Sequence, residues 1–180
     1  MKSRNQCLCS LCIAKSLNTT YVYVYSGIKV EKEDPPKIIV DLDGTVFRVD
    51  KRLEMSKKMA RSKQEFWEYF QSEKFMHLDE PNEKVIQLIQ KYWSEGVQIV
   101  IITGRLKDKQ EKYTYIQLAT YYVPWSRIIF REGNDFSKDY EFKGRELKKL
   151  SNVLFVVDDS EEVRRVATQL GIKAIDPNLL

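Results

Sequence analysis

After Pro36 the chain alternates short apolar runs with amphipathic helical segments, and this rhythm restricts the fold more than any other feature. Runs of strand length fall at residues 38–40, 97–102, 128–130, 153–157 and 174–175. Between them, Val85, Leu88, Ile89, Tyr92 and Trp93 recur at helical spacing, with Pro81 ahead and Gly96 behind. Ser160 is placed to cap a second helix whose stripe is Val163, Val166, Ala167 and Leu170, stopped by Gly171. Glu161 and Glu162 occupy its first turn, where the helix dipole favours negative charge. Weaker helical patterns cover residues 62–71, 109–121 and 142–150. Apolar strands separated by amphipathic helices imply an α/β domain: a parallel sheet with helices on both faces. Right-handed crossovers gather the C-terminal strand ends at one edge, where folds of this kind bind ligands.

Composition narrows the class without naming a function. The 180 residues suit one domain, and 43% hydrophobic with 31% charged residues is ordinary for a globule. The net charge is +4, and the first 36 residues carry five Lys/Arg against three Asp/Glu. That surplus tolerates a polyanion without requiring one. Residues 1–36 read as an N-terminal arm, with a strand-like Tyr-Val-Tyr-Val-Tyr at 21–25 and a linker ending at Pro36; residues 37–180 read as the main domain. All three cysteines, Cys7, Cys9 and Cys12, lie in the arm. They form no disulfide framework, and a zinc site lacks a fourth ligand nearby, so reduced thiols are expected. No stretch is apolar enough for a signal peptide or a bilayer span, which makes a cytoplasmic location the expectation. Oligomeric state leaves no mark in the sequence.

The chemistry lies at the strand ends. The first strand runs into Asp41-Leu42-Asp43-Gly44-Thr45, two carboxylates leaving an apolar run at a glycine turn. The second ends in Thr103-Gly104-Arg105: a hydroxyl and an amide suited to a phosphoryl oxygen, and a guanidinium fork. The fourth ends in Asp158-Asp159-Ser160, two acids that need a cation if buried. Each motif alone has an ordinary reading: an Asp-X-Asp turn, a loop, a helix cap. Three of them in order at successive strand ends make one constellation.

These residues resemble the haloacid dehalogenase superfamily of phosphotransferases over about residues 37–176. Asp41 to Thr45 looks like its first motif, Thr103 its second, and Asp158-Asp159 its fourth. The segment from Arg131 to Lys143 is similar, more narrowly, to the 3′-phosphatase domain of polynucleotide kinase-phosphatases. There Asp139 and Lys143 match, with Lys138 as a competing third-motif lysine. The resemblance implies a Rossmann-like sheet with a small cap insert at about residues 48–80. It implies Asp41 as nucleophile, forming an aspartyl-phosphate, and Asp43 as acid and base. It also implies Mg²⁺ held by Asp41, Asp43 (through its backbone carbonyl), Asp158 and Asp159. Thr103, Gly104 and Lys143 are then the phosphate-binding set, with Lys143 read as opening a helix. Arg52, Arg105 and Asp139 are the substrate-binding set.

For the substrate, the short insert implies an open site that suits a bulky phosphorylated DNA or RNA end, the 3′ end foremost. Its one expected helix carries Phe66, Trp67, Tyr69 and Phe70, read as packing on the domain rather than stacking on bases. No phosphate-binding Gly-Lys-Ser/Thr loop occurs, so no kinase half is expected. The alternatives are a small-molecule phosphatase such as a nucleotidase, and a non-catalytic scaffold that binds a partner.

Overall fold

The computed structural model describes residues 34–180. The three cysteines, the strand read at 21–25 and most of the arm lie outside the described residues.

Five strands form one parallel sheet: β1 (Lys37–Val40), β4 (Gln98–Leu106), β5 (Arg127–Arg131), β6 (Val153–Val157) and β7 (Ala174–Ile175), in the order β5-β4-β1-β6-β7. The side-chain period of two sorts each strand between two cores. Ile38, Val40, Ile99, Ile101, Phe155 and Val157 face one layer, which includes Val85, Ile86 and Ile89 of α3 (Glu83–Ser94) and Leu118 of α4 (Lys107–Thr120). Ile39, Val100, Ile102 and Val156 face the other, with Phe142 and Leu147 of α5 (Asp139–Leu147) and Ala167 of α6 (Glu161–Gln169). Each fully buried Ile or Val contributes about 1.5–3 kcal/mol over its exposed state.

This sorting decides where the acids point. Asp41 follows Ile39 by two and Asp158 follows Val156 by two, so both carboxylates turn toward α5 and α6. Val40 pairs with Ile101 and with Val157, which sets Asp41 and Asp158 level, one step beyond the ladder. From β1 the chain crosses to β4 and β5 on one side, then returns to β6 and β7 on the other. The strand order therefore reverses between β1 and β6, and both acids stand at that reversal.

Several elements differ from the sequence reading. Strand β4 continues beyond the apolar run read at 97–102, through Thr103, Gly104 and Arg105 to Leu106; a register shift between Thr103 and Leu106 absorbs the glycine while pairing with β5 resumes. Helix α5 starts at Asp139, three residues earlier than read, with the Lys138 amide donating to Glu141 Oε2. Lys143 is thus its fifth residue and not its opening one. In the segment between β2 (Phe47–Arg48) and β3 (Glu80–Pro81), which pair antiparallel, one helix was expected. Two helices occur, α1 (Asp50–Met59) and α2 (Lys63–Phe70), then a 3₁₀ turn at Glu73–Leu78. Helix α1 shows no apolar periodicity because its buried residues, Arg52 and Ser56, are polar.

The α2 aromatics are half-buried or exposed rather than part of a core: Phe66 stacks on Phe70 at 5.9 Å, Trp67 meets Phe70 edge-on, and Trp67 is 45% exposed.

Candidate active site

Asp41 begins where β1 ends, and its amide still donates to the Val157 carbonyl, tying it to β6. The chain then turns at Gly44, whose φ of +90° suits glycine, and a Cβ there would lie 2.2 Å from Asp159 Oδ2. Thr45 Oγ1 accepts the Asp159 amide at 3.1 Å, closing the turn onto the end of β6. Ser160 caps α6 through the Val163 amide, and Asp158 Oδ1 accepts the Ser160 amide at 2.9 Å. Arg164 donates to the carbonyls of Asp158 and Asp159, fixing the backbone of that acid pair.

Lys143 reaches into this edge from α5. Its ammonium lies 2.8 Å from Asp41 Oδ1, 2.9 Å from Asp158 Oδ2 and 2.9 Å from Asp139 Oδ2. Burial works against its charge, but the three carboxylates outweigh burial and raise its proton affinity well above the usual lysine value. Arg131 donates to Asp139 Oδ1 at 2.7 Å, and a Cβ on Gly104 would stand 2.8 Å from that same oxygen. Lys138, the competing lysine, caps the helix through its backbone amide and is exposed, its ammonium over the Tyr140 ring. Of the two lysines, Lys143 is the one in the cluster.

Carboxylate oxygens of Asp41, Asp158 and Asp159 lie within 4.8 Å of one another. Six ligands around a magnesium ion sit on the order of 3–4 Å apart, so small side-chain rotations bring these onto one ion. The charge balance points the same way. Asp41, Asp139, Asp158 and Asp159 carry four negative charges against the two positive charges of Lys143 and Arg131, leaving two unmatched. Burial raises Asp41 well above the usual carboxylate range, with the neighbouring acids adding to it and Lys143 opposing. Burial likewise raises Asp158, and burial with the Asp158 charge pushes Asp159 up to about 6. A hard divalent cation is what this donor set lacks, and Asp41, Asp158 and Asp159 would hold it.

Asp43 points elsewhere. Its Oδ1 accepts from Arg105 Nε at 2.9 Å and Nη2 at 2.7 Å, and lies 2.6 Å from Arg52 Nη2. Burial would raise its proton affinity, but the two guanidiniums hold the carboxyl well below the usual range. Both arginines were expected to touch substrate; the structure places their side chains at 0% exposure, against Asp43 and against Asp79. Asp79, which the sequence reading missed, pairs with Arg52 Nε at 3.0 Å and accepts from Gln117 Nε2 at 3.1 Å. Burial pushes Asp79 up to about 6, although both guanidiniums oppose the shift. Arg105 Nη1 also donates to Thr114 Oγ1 and Gln117 Oε1, and Gln110 Oε1 accepts the Leu106 amide. Gln110, Thr114 and Gln117 form a buried polar stripe on α4 at helical spacing, a signal that a search for apolar stripes passes over.

Thr103 is fully buried, and its Oγ1 accepts the Arg105 amide at 3.2 Å, which leaves its hydroxyl proton to donate. The structure therefore gathers Asp41, Asp139, Lys143, Asp158 and Asp159 in one cluster. It joins Asp43, Arg52 and Arg105 in a second, and sets Thr103 and Gly104 on the strand that runs between them.

The parallel sheet, with acids at its strand reversal and a buried lysine among them, has the architecture of the haloacid dehalogenase fold, and the comparisons make it a phosphatase domain. The family model of the polynucleotide kinase PNKP phosphatase domain matches residues 35–178, and the chain belongs to that family. No curated protein matches the chain. Among solved structures, a chain of the Pnkp1/Rnl/Hen1 RNA repair complex is 22% identical, with a TM-score of 0.62, over 90% of this chain and 46% of its own length. A chain from another structure of the Pnkp1/Rnl/Hen1 complex is 21% identical, with a TM-score of 0.60, over 91% of this chain and 50% of its own. The chain thus spans about half the length of these two. The class C acid phosphatase of Bacillus anthracis, with tungstate bound, shares 20% identity and a TM-score of 0.58 over 80% of this chain and 66% of its own. At such identities the structural likeness speaks for the fold. Among the described residues, no helix is long and apolar enough to cross a membrane.

Proposed function

We propose that the protein is a magnesium-dependent phosphomonoesterase that removes the 3′-terminal phosphate of DNA or RNA through an aspartyl-phosphate on Asp41. The observation that carries this reading is the unbalanced cluster at the strand reversal: three carboxylates within 4.8 Å of one another, two of them in contact with one buried ammonium. Such a cluster is complete only with a cation and an anion of the substrate added. The nucleic-acid end is supported by the family match and by the RNA repair complex in which a neighbour of the same fold is found.

In the proposed reaction a carboxylate oxygen of Asp41 attacks phosphorus, and the bond from phosphorus to the leaving oxygen breaks. Asp43 delivers a proton to that oxygen, then takes one from the water that cleaves the acyl-phosphate. The guanidiniums of Arg105 and Arg52 favour the ionised form of Asp43, which is the form the second step needs; the proton that Asp43 passes to the leaving oxygen in the first step is drawn from the monoanionic phosphate ester. Lys143 and the Thr103 hydroxyl stabilise the equatorial oxygens of the transferred group. Bound magnesium would supply charge screening between the anionic nucleophile and the anionic ester. Asp139 holds Lys143 and meets Arg131, which makes it a positioning residue. The arginines that face Asp43 are read the same way, as holding the acid rather than the substrate.

The test is a substrate panel with magnesium and with chelator. Phosphate release is expected from a 3′-phosphorylated oligonucleotide, at a higher kcat/KM than from mononucleotides, and no release with chelator. Preference for mononucleotides would make the protein a nucleotidase instead, and undiminished activity in chelator would remove the metal from the reading.

A further inference from the structure

We propose that the cleft between α1 and α2 is a binding groove for the single strand that trails from the phosphorylated end, an inference that rests on the nucleic-acid reading above. The cleft measures about 390 Å³ and is lined by Lys57, Ala60, Arg61, Ser62, Lys63 and Phe66. Half of those residues are cations, none is an acid, and Lys57, Arg61 and Lys63 are all exposed. Among the described residues, none of the three makes an ion pair, whereas Lys51, on α1 with Lys57, is paired with Glu80. Phe66 supplies an apolar wall, with the exposed ring of Trp67 beside it at 5.0 Å. Unpaired cations next to aromatic rings are the combination by which proteins hold single strands: charge follows the phosphates, and rings meet the bases.

The placement on α1 gives the groove its purpose. Arg52, near the start of this helix, reaches Asp43 at 2.6 Å. With a rise of about 1.5 Å per residue, Lys57 stands roughly 7–8 Å further along the axis. Arg52 is buried and Lys57 is exposed, so the groove lies on the outward side of α1, and a strand leaving the site would pass around this helix to reach it. Other charges of the insert are engaged nearby: Glu80 is tied to Lys51, Glu68 is bonded to Gln64, Glu65 accepts the Arg61 amide, and Lys74 lies over the Tyr69 and Phe75 rings.

The experiment compares the full chain with the triple variant Lys57→Ala/Arg61→Ala/Lys63→Ala, none of whose positions belongs to the acid clusters. Substrates are a 3′-phosphorylated single strand about ten nucleotides long, within the span such grooves cover, a 3′-mononucleotide, and p-nitrophenyl phosphate. Each cation that meets a single-strand phosphate adds about 0.7 to the slope of log affinity against log salt, so the variant is expected to lose about 2 from that slope. Its KM for the oligonucleotide should rise roughly tenfold at low salt, with both small substrates unchanged. Anisotropy with the matching 3′-hydroxyl strand reads binding without turnover. If wild type fails to dephosphorylate the oligonucleotide, the substrate reading fails, while the groove is still judged by that binding. Equal salt slopes in wild type and variant, or equal binding of polyglutamate and the oligonucleotide, would overturn the groove.

Discussion

Asp41 and Asp43 are separated by one residue, yet their surroundings are electrical opposites. Asp41 stands among acids, with Lys143 the cation in contact with it, and burial lifts its proton affinity. Asp43 stands between two arginines that hold its proton affinity down. The cluster around Asp43 balances in charge, two carboxylates against two guanidiniums, with Thr114 and Gln117 accepting from Arg105 and the Phe70 carbonyl from Arg52. Around Asp41 two negative charges are left over. A self-contained network holds a side chain in place, whereas an incomplete one waits for a ligand. On the proposed reading, the contrast makes Arg52, Arg105 and Asp79 the residues that hold Asp43, and the sheet edge the place where the cation binds.

The sharpest break would come from Asp41→Asn, which keeps the size of the side chain and removes the proposed nucleophile. Turnover should fall by roughly a thousandfold or more, with the denaturation midpoint near wild type. Retained turnover would move the nucleophile elsewhere. Next comes the lysine. Lys143→Ala should lower kcat on the order of a hundredfold, as removal of one transition-state donor does, while Lys138→Ala stays within about threefold, as expected of an exposed side chain outside the cluster. Steady-state kinetics on one phosphorylated substrate ranks the pair, and the reverse ranking would show that the buried ammonium is only structural.

The balanced cluster predicts losses of stability. Arg105→Ala leaves Asp43 and Asp79 short of a partner in a buried setting and should cost about 3–5 kcal/mol in urea denaturation. A cost near zero would mean that the network is not as closed as its distances indicate. The smallest expected effect concerns pH. Asp79 binds its proton more tightly folded, at about 6, than in the unfolded chain, at 3.8. Its contribution to stability is therefore full below 3.8 and lost as pH rises through 6. That window corresponds to on the order of 3 kcal/mol. Asp79→Asn should flatten the dependence of stability between pH 4 and 6, read from denaturation at several pH values. An unchanged slope would place the proton on another group.

Much of the site was legible because its chemistry sits in short motifs at strand ends, and strand ends are visible as the close of an apolar run. Asp41, Thr103 and Asp158 were singled out that way, and the period-two sorting of β1 and β6 then gives the direction of the two acids. Asp79 had no such marker: it sits just ahead of a two-residue strand, and its importance arises from contacts with Arg52 and Arg105, 27 and 26 positions away. Helix α1 stayed hidden for a related reason. Its inward face is Arg52 and Ser56, so no apolar stripe announces it.

By itself the sequence determined the parallel α/β order, the edge at which the acids collect, and which residue types are available for phosphoryl chemistry, because local periodicity and strand-end motifs are short-range properties of the chain. Only the tertiary structure decided which lysine enters the cluster, that Arg52 and Arg105 turn inward to Asp43, and that Asp79 completes their network. Charge pairing across distant segments depends on which side chains the fold buries together, and that is set by packing rather than by spacing along the chain.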